Sequence, residues 1–451
     1  MKTNNLANKT MLMAWCFLVL AVLPVVAGHP ESAEYREDND RLFWFIQISD
    51  LHIGTSGSTD TDNLTWVVTE AKDVIRPEFI VATGDLTDST NGGIIPNGPY
   101  LSEWSAYQAI VTDAGMTPDF FFDIPGNHDH YNDKNFSYYL NNSIQGISTG
   151  QTQASWQKDF SFGSYHFLAV NTAGNDGASF SISGPTYGDH AGLDREELDF
   201  IEDEFMAHQD ADLTMVFGHH PLPQRPTGVS SDTYISYGDT QFINLMETYG
   251  VSMYAYGHTH QYREGLLPTD NSQSVLDLNI RPLGKDPLNG TYAYQVIAID
   301  CNGIATAQQP AGIWPAVLIT APMDVKLGAD ENPYAYSVND LNPKPIRALV
   351  FDKNPVTSMQ YRIDGGTWNP MTHVNGPLWN ALWNEPEILD KEHTLEVRAT
   401  GSTTRSHTIT IGVAETSPPA PQGSNGGGGG GGGCFIGSIK SEFIGTVYTA
   451  L

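Results

Sequence analysis

Cysteine is nearly absent: Cys16, Cys301 and Cys434 are the only three in 451 residues. So few thiols, so far apart, build no disulfide framework, and stability must come from a core and from bound ligands. Cys301 reads as a small buried apolar residue. Basic residues are scarce as well. Against 52 Asp+Glu stand 22 Lys+Arg, a net charge of −30, and most of the acidic excess lies before residue 315. Such a surface keeps a chain soluble and repels a phosphate backbone, which argues against long nucleic acid as a partner. Long apolar runs are missing with one exception, Met11 to Ala27. Lys2 and Lys9 precede that run, the small residues Ala27 and Gly28 end it, and a polar stretch follows. The layout is that of a secretory signal over residues 1–27, an uncleaved signal anchor being the other reading. An exported chain, periplasmic, extracellular or at the cell surface, is the expectation.

Hydrophobic residues make up 40% and aromatics 11%, enough for a sizeable core. Over residues 42–301 short apolar strands alternate with amphipathic helices. Strands are expected at Phe43–Ile48, Phe79–Ala82, Phe120–Ile124, Leu213–Phe217 and Val251–Tyr256. Leu64, Val67, Val68, Ala71, Val74 and Ile75 recur at helical spacing. A second helix carries Leu198, Ile201 and Phe205, entered through Asp194 with Glu197 three residues on, a capping-box pattern. The alternation implies a layered α/β domain. Residues 315–413 read instead as short β segments, at Ala316–Ile319, Ile346–Phe351, Ser358–Ile363, Thr394–Thr400 and His407–Val413, separated by turns such as Asp364-Gly365-Gly366. That pattern suggests a small β-sandwich. A flexible Pro/Gly-rich linker, 414–433, and a last segment, 434–451, follow.

Five of the α/β strands end in short polar loops: Ser49-Asp50-Leu51-His52, Thr83-Gly84-Asp85, Gly126-Asn127-His128-Asp129, Gly218-His219-His220-Pro221 and Gly257-His258-Thr259-His260. Ligands in α/β sheets bind beyond the carboxyl ends of strands, so the loops should meet on one rim. Carboxylates, imidazoles and one amide oxygen form a mixed oxygen/nitrogen donor set, suited to Fe, Mn, Zn or Ni rather than Ca. No thiolate takes part, which excludes a zinc finger. A single D-x-H or G-H-x-H arises often by chance. Agreement of five loops in type, order and position does not.

These blocks resemble the five-part signature of the calcineurin-like metallophosphoesterases, D-x-H, G-D, G-N-H-[DE], H-x-P and G-H-x-H, across residues 43 to about 301. The resemblance implies a four-layer α/β fold, a β-sandwich flanked by helices, over residues 40–312. It implies that two divalent or trivalent metal ions (Fe, Mn, Zn or similar) are held by Asp50, His52 and His260 and by Asn127, His219 and His258, with Asp85 bridging. It implies that His128 assists the leaving group and that Asp129 orients it, while a hydroxide held between the ions attacks phosphorus in line. The residue after Asp85-Leu86-Thr87 is Asp88, where purple acid phosphatases carry a ligating Tyr nearby, which disfavours that branch. Asp129 in place of Glu points away from the protein phosphatases and toward phosphodiesterase-like members. A membrane-associated branch also follows its enzyme domain with an immunoglobulin-like sandwich, the arrangement expected at 315–413. The glycine run before Cys434-Phe435-Ile436 resembles a terminal box of some exported bacterial proteins, so the termini are candidates for membrane or cell-surface association.

Around the blocks, Asp88 reads as structural or as support for a ligand, His220 as support or packing, and His130, Arg225 and Arg263 as substrate contacts or plain surface. His29, His166, His190, His208, His373, His393 and His407 receive no role. The aromatics of 86–118 and 131–157 (Tyr100, Trp104, Tyr107, Tyr131, Phe136, Tyr138, Tyr139, Trp156) stack a base or fill the core, the commoner outcome. The expected activity is hydrolysis of a small phosphate ester, as a phosphodiesterase or phosphomonoesterase. The alternatives are a nucleotidase or phospholipid-directed hydrolase, and a non-catalytic binding protein that keeps the fold.

Overall fold

The computed structural model describes residues 41–93, 96–174, 191–223, 233–267, 275–287, 290–327, 336–337, 344–383 and 392–414. The expected signal at 1–27, the linker and last segment from 415 onward, His29, His190 and Arg225 lie outside them. No helix among the described residues is long and apolar enough to cross a membrane.

Two sheets make the centre of the first domain. One holds β1 (Leu42–Ile48), β2 (Ile80–Thr83) and β3 (Phe121–Ile124) in parallel, then β10 (Ala293–Asp300) and β11 (Gly303–Pro310) antiparallel, in the order β11-β10-β1-β2-β3. The other runs β4-β5-β6-β7-β9-β8. Its inner strands β5 (Gly163–Ala169), β6 (Leu213–Phe217), β7 (Met253–Tyr256) and β9 (Leu276–Asn279) are parallel, and β4 (Ala154–Phe160) and β8 (Arg263–Leu266) close the edges antiparallel.

β1 is apolar almost throughout because both of its faces are covered. Phe43 and Phe45 point between the sheets, where Phe45 stacks on Phe79 at 4.5 Å and Phe122 stacks on Trp156 at 3.7 Å. Trp44, Ile46 and Ile48 point the other way, toward the helices Thr59–Ile75 and Leu101–Asp113. The former carries one π turn, Val67–Ala71. The helices Arg195–Ala207 and Asp239–Thr248 cover the outer face of the second sheet. The expected capping box is present, with Asp194 and Glu197 bonded reciprocally at 3.0 and 2.8 Å. The result is helix, sheet, sheet, helix: four layers.

Beyond residue 315 come two more sheets. One orders β12 (Ala316–Ala321), β14 (Lys344–Phe351), β18 (Leu378–Trp383) and β17 (Thr372–Asn375) as β12-β14-β18-β17. The other orders β13 (Tyr336–Ser337), β20 (Thr404–Ala414), β19 (Glu392–Thr400), β15 (Ser358–Ile363) and β16 (Asn369–Pro370) as β13-β20-β19-β15-β16. Val317, Ile319, Ile346 and Ala348 of the first pack on Met359, Leu395, Val397 and Ile411 of the second, a core of their own.

The outer face of the first of these sheets is not free. Leu318, Leu349, Phe351 and Leu378 belong to the same apolar cluster as Trp44 and the helix Thr59–Ile75. Asp300 accepts Thr320 Oγ1 at 2.7 Å and Arg347 Nε at 2.9 Å, and Glu70 accepts Trp314 Nε1 at 2.7 Å and Lys353 Nζ at 3.0 Å. One core therefore runs through both halves.

Candidate metal centre

All five polar loops meet at the carboxyl edge of the two facing sheets. The loop after β1 is zipped to the loop after β2: Asp50 N–H donates to Gly84 O (3.1 Å), His52 N–H to Asp85 O (2.8 Å) and Ile53 N–H to Leu86 O (3.1 Å). Gly126 is required where it stands, since a Cβ there would collide with the backbone and carboxylate of Asp85. Asp50, His52, Asp85, His258 and His260 all have φ between 46° and 67°. Left-handed backbone costs an L-residue roughly 1–2 kcal/mol, and such residues gather at functional sites. Here five of the expected ligands carry it.

Side-chain atoms gather into two adjoining groups. Asp50, His52 and His260 offer ligand atoms within 4.8 Å of one another, as do Asp50, Asp85 and His219. Asn127 Oδ1 lies 3.1 Å from His219 Nε2 and 3.0 Å from His258 Nδ1. Asp85 Oδ2 stands between the groups, 3.5 Å from His52 Nε2 and 3.3 Å from His219 Nε2. The seven residues expected as ligands are thus brought together.

The hydrogen bonds behind these atoms fix which of them carry lone pairs. His52 Nδ1 donates to Asp88 Oδ1 at 2.9 Å, leaving Nε2 as an acceptor. His219 Nδ1 donates to the carbonyl of Thr83 at 2.8 Å, and its Nε2 is likewise an acceptor. The Asn127 amide group donates to Tyr131 Oη at 2.7 Å, turning its oxygen inward. His219 Nε2 and Asn127 Oδ1 therefore face each other with lone pairs, 3.3 Å and 3.0 Å from His258 Nδ1. His52 Nε2 faces His260 Nε2 at 3.1 Å. Converging lone pairs repel unless a proton or a metal cation lies among them, and a borderline N/O donor set of this kind suits Zn, Mn or Fe. The residues fit a pair of metal ions.

The electrostatics agree. Burial opposes charge on His219, but the Asp85 carboxylate, with Asp50 behind it, outweighs burial and raises the His219 pKa to about 9. Burial works against the Asp85 carboxylate too, yet His219, His128 and His52 hold it well below the usual range. Burial, then His219 beside it, lowers His258 to about 3. Without cations the site keeps protons where positive charge belongs. Chelation of the metal-loaded protein is therefore expected to lower Tm by about 5 °C or more, since a ligand that binds only the folded state stabilises it. Scanning calorimetry with and without chelator checks this, and identical curves would count against a metal centre.

His128 sits at the rim with 15% of its side chain exposed. Its Nδ1 donates to the Asp88 carbonyl at 2.7 Å, so Nε2 is left for other partners. The expected orienting residue, Asp129, does not touch the ring. Its carboxylate accepts the N–H groups of Leu86, Thr87 and Gly126, each at 2.9 Å, and the Thr87 hydroxyl at 3.0 Å. A carboxylate in the first turn of a helix is drawn back to free backbone N–H groups. Asp129 therefore buttresses the loops, and the Asp88 backbone orients His128.

Asp88 has a larger part than its sequence suggested. Its buried carboxylate joins His52, Thr90 and Lys285, the last at 2.6 Å. Lys285 belongs to no motif. It arrives on a loop that lies across the first block, with Leu283 N–H on Ser49 O and Gly284 N–H on Asp50 O, both at 3.0 Å. Gly284 is the residue that allows the approach, because a Cβ would collide with the Leu51 carbonyl. Glu103 escaped the sequence reading, and Tyr131, expected to stack a base or fill the core, is the residue that orients the Asn127 amide. Glu103 accepts the backbone N–H groups of Ser89, Thr90 and Asn91 and so shapes the turn behind Asp88.

The weaker candidates separate clearly. His130 is buried and stacks on Phe136 at 4.4 Å. Arg263 pairs with Asp277 at 3.3 Å and borders a hollow of about 280 Å³ beside the His258–His260 turn, together with Tyr234, Tyr256 and Asn279. Trp104, Tyr107 and Tyr139 are fully buried core residues. His166, Glu204 and His208 form a third cluster away from the loops, but the two rings are stacked at 4.0 Å and 9°, so their in-plane lone pairs run parallel instead of converging.

Two facing sheets, outer helices and a rim of histidine and aspartate loops define a metal-dependent hydrolase scaffold. Residues 43–262 match the family described as calcineurin-like phosphoesterase, which makes that stretch a calcineurin-like metallophosphoesterase domain. The mouse (Mus musculus) protein named transmembrane protein 62 is 28% identical over 402 residues, which cover 85% of this chain and 57% of that protein. The chain thus spans less than two-thirds of that relative's length. Among solved structures, a dimetal phosphatase from Danio rerio aligns with TM-score 0.44 and 12% identity over 60% of this chain and 96% of the other. A purple acid phosphatase from yellow lupin (Lupinus luteus) aligns with TM-score 0.39 and 13% identity over 60% of this chain and 52% of the other.

Proposed function

We propose that the protein hydrolyses small phosphate esters at this centre. The observation that carries the reading is the meeting of His219 Nε2, Asn127 Oδ1 and His258 Nδ1 on one side of Asp85, and of His52, His260 and Asp50 on the other. Asp50, His52 and His260 would hold one ion, Asn127, His219 and His258 a second, and Asp85 both. Ions held there would supply Lewis acidity toward a phosphoryl oxygen and bring the pKa of water near neutrality.

The other roles belong to the chain. His52 and His219 are kept with their acceptor nitrogens inward by Asp88 and Thr83. His128 presents Nε2 at the rim, placed to exchange a proton with the departing oxygen once an anionic phosphate beside it favours its protonated form. Asp129 keeps the loops of Asp85 and His128 in register. Phosphodiesters and phosphomonoesters are the favoured substrates, nucleotides and phospholipid headgroups the alternatives. The acidity of the chain disfavours long nucleic acid. The all-β half would be an immunoglobulin-like sandwich that braces the catalytic domain. Export, with attachment through the termini, remains part of this reading on the strength of the apolar run at Met11–Ala27.

The test is an assay of the full chain reconstituted with Mn, Zn or Fe, against bis-p-nitrophenyl phosphate, p-nitrophenyl phosphate, cyclic nucleotides and glycerophosphodiesters, with elemental analysis alongside. Metal-dependent release from at least one class is expected. A fully loaded protein inert toward all of them would leave the non-catalytic binding reading in place.

A further inference from the structure

His220 follows the ligand His219 and is completely buried. It is not among the residues expected to hold metal. Its surroundings nevertheless fix its chemistry. Thr172, just past the end of β5, places its hydroxyl against three groups. Oγ1 accepts the N–H of His219 at 3.1 Å and the N–H of His220 at 3.0 Å. A hydroxyl oxygen has two lone pairs and one hydrogen. With both lone pairs taken, the hydrogen goes to the third neighbour, His220 Nδ1, at 3.0 Å. Nδ1 is thereby an acceptor, and the ring proton must be on Nε2.

That Nε2–H is enclosed and has no hydrogen-bond partner among the described residues. The His220 ring lies beside the second half of the metal centre. The ring meets His258 at 4.4 Å and His219 edge-on at 4.7 Å, and the three side chains each bring a nitrogen within 4.8 Å of the others. A protonated nitrogen cannot ligate a cation. A buried N–H without an acceptor is costly, and native structures rarely leave one so. An oxygen that arrives with what the centre binds would supply that acceptor.

We infer that His220, locked by Thr172 as its Nε2–H tautomer, donates a hydrogen bond to a phosphoryl oxygen of the bound substrate and so is a substrate-binding residue beyond the metal ligands. This deepens the phosphoesterase reading and rests on it. Nε2–H would give the second half of the site a fixed neutral donor where two cations already attract the phosphate. A donor fixed in place favours the crowded negative charge of phosphoryl transfer without reorganising.

The experiment uses the full chain in two states. In the metal-free protein, nitrogen-15 NMR of the His220 ring is expected to show a protonated Nε2 and an unprotonated Nδ1, and Thr172→Val to disturb that pattern where Thr172→Ser keeps it. In the metal-loaded protein, inorganic phosphate is the probe. His220→Phe keeps the ring volume without nitrogens and should weaken phosphate inhibition about tenfold or more, the scale of one lost hydrogen bond to a charged group. His220→Gln returns an N–H near the place of Nε2 and should recover most of the affinity. Elemental analysis should find two ions in each. A protonated Nδ1 in the wild type, unchanged phosphate affinity in His220→Phe, or loss of one metal equivalent in that variant overturns the assignment. If His220→Phe does not fold, the tautomer and the glutamine variant still decide. A wild type with no phosphate affinity overturns the phosphoesterase reading too, whereas unchanged affinity in the variant of a binding wild type overturns only this one.

Discussion

Asp85→Asn is expected to lower phosphate-ester turnover by about a thousandfold or more, roughly 4 kcal/mol of barrier at 1.36 kcal/mol per decade, and to cut bound metal below two equivalents. Both carboxylate oxygens are in use: Oδ1 accepts the N–H of His128 at 2.9 Å, and Oδ2 stands between His52 and His219. The amide keeps the size but removes the charge, and one of its two ends becomes a donor. Whichever way it turns, N–H groups would face the His128 amide or the ligand cluster. Asparagine tolerates the left-handed backbone that residue 85 adopts, so the fold should survive. A loss of function with an intact metal-free melting curve is therefore the signature. A variant that held two ions and turned over normally would remove Asp85 from the centre.

His128→Ala should behave differently. A ring nitrogen lies within 4.8 Å of ligand atoms of His52 and Asp85, but Nδ1 is engaged by the Asp88 carbonyl and the seven expected ligands do not include His128, so two ions should remain. Turnover should fall by about 10²- to 10⁴-fold, the usual range for a lost acid–base group. The fall should depend on the leaving group. A p-nitrophenolate departs without a proton, whereas an alkoxide does not. The loss should then be steep for alkyl phosphates and shallow for p-nitrophenyl esters. Equal losses for both would place His128 in substrate binding or structure instead of leaving-group chemistry.

The five polar loops were legible in sequence because each is short, contiguous and placed after an apolar strand. Asp50 and His52, or His258 and His260, need only a strand end and a turn to share a direction. Strand positions were close for the same reason: β6 and β15 coincide with their expected ranges, and β1 and β3 differ by one residue at one end. β4 escaped notice because it is an edge strand, Ala-Ser-Trp-Gln-Lys-Asp-Phe, with one face in water. β11 escaped because Ala, Thr and Gln give little apolar signal, although its first five residues are buried.

The orientation of Asp129 was misread for a different reason. Adjacency in sequence says nothing about where a carboxylate turns, and three unpaired N–H groups compete better than one imidazole. Lys285 could not have been found at all. It reaches Asp88 across 197 positions, and only the narrow fit of Gly284 against Leu51 betrays that its loop must pass close by.

The shared apolar cluster that unites Trp44 and the helix Thr59–Ile75 with Leu318, Leu349 and Phe351 has a consequence for cooperativity. Neither half can melt without baring the flank of the other, so thermal disorder in the all-β half propagates to the strand that delivers Asp50 and His52. The two halves should lose their order in a single event, and a lesion in the distal sheets can disturb the loop-bearing rim without coming near it.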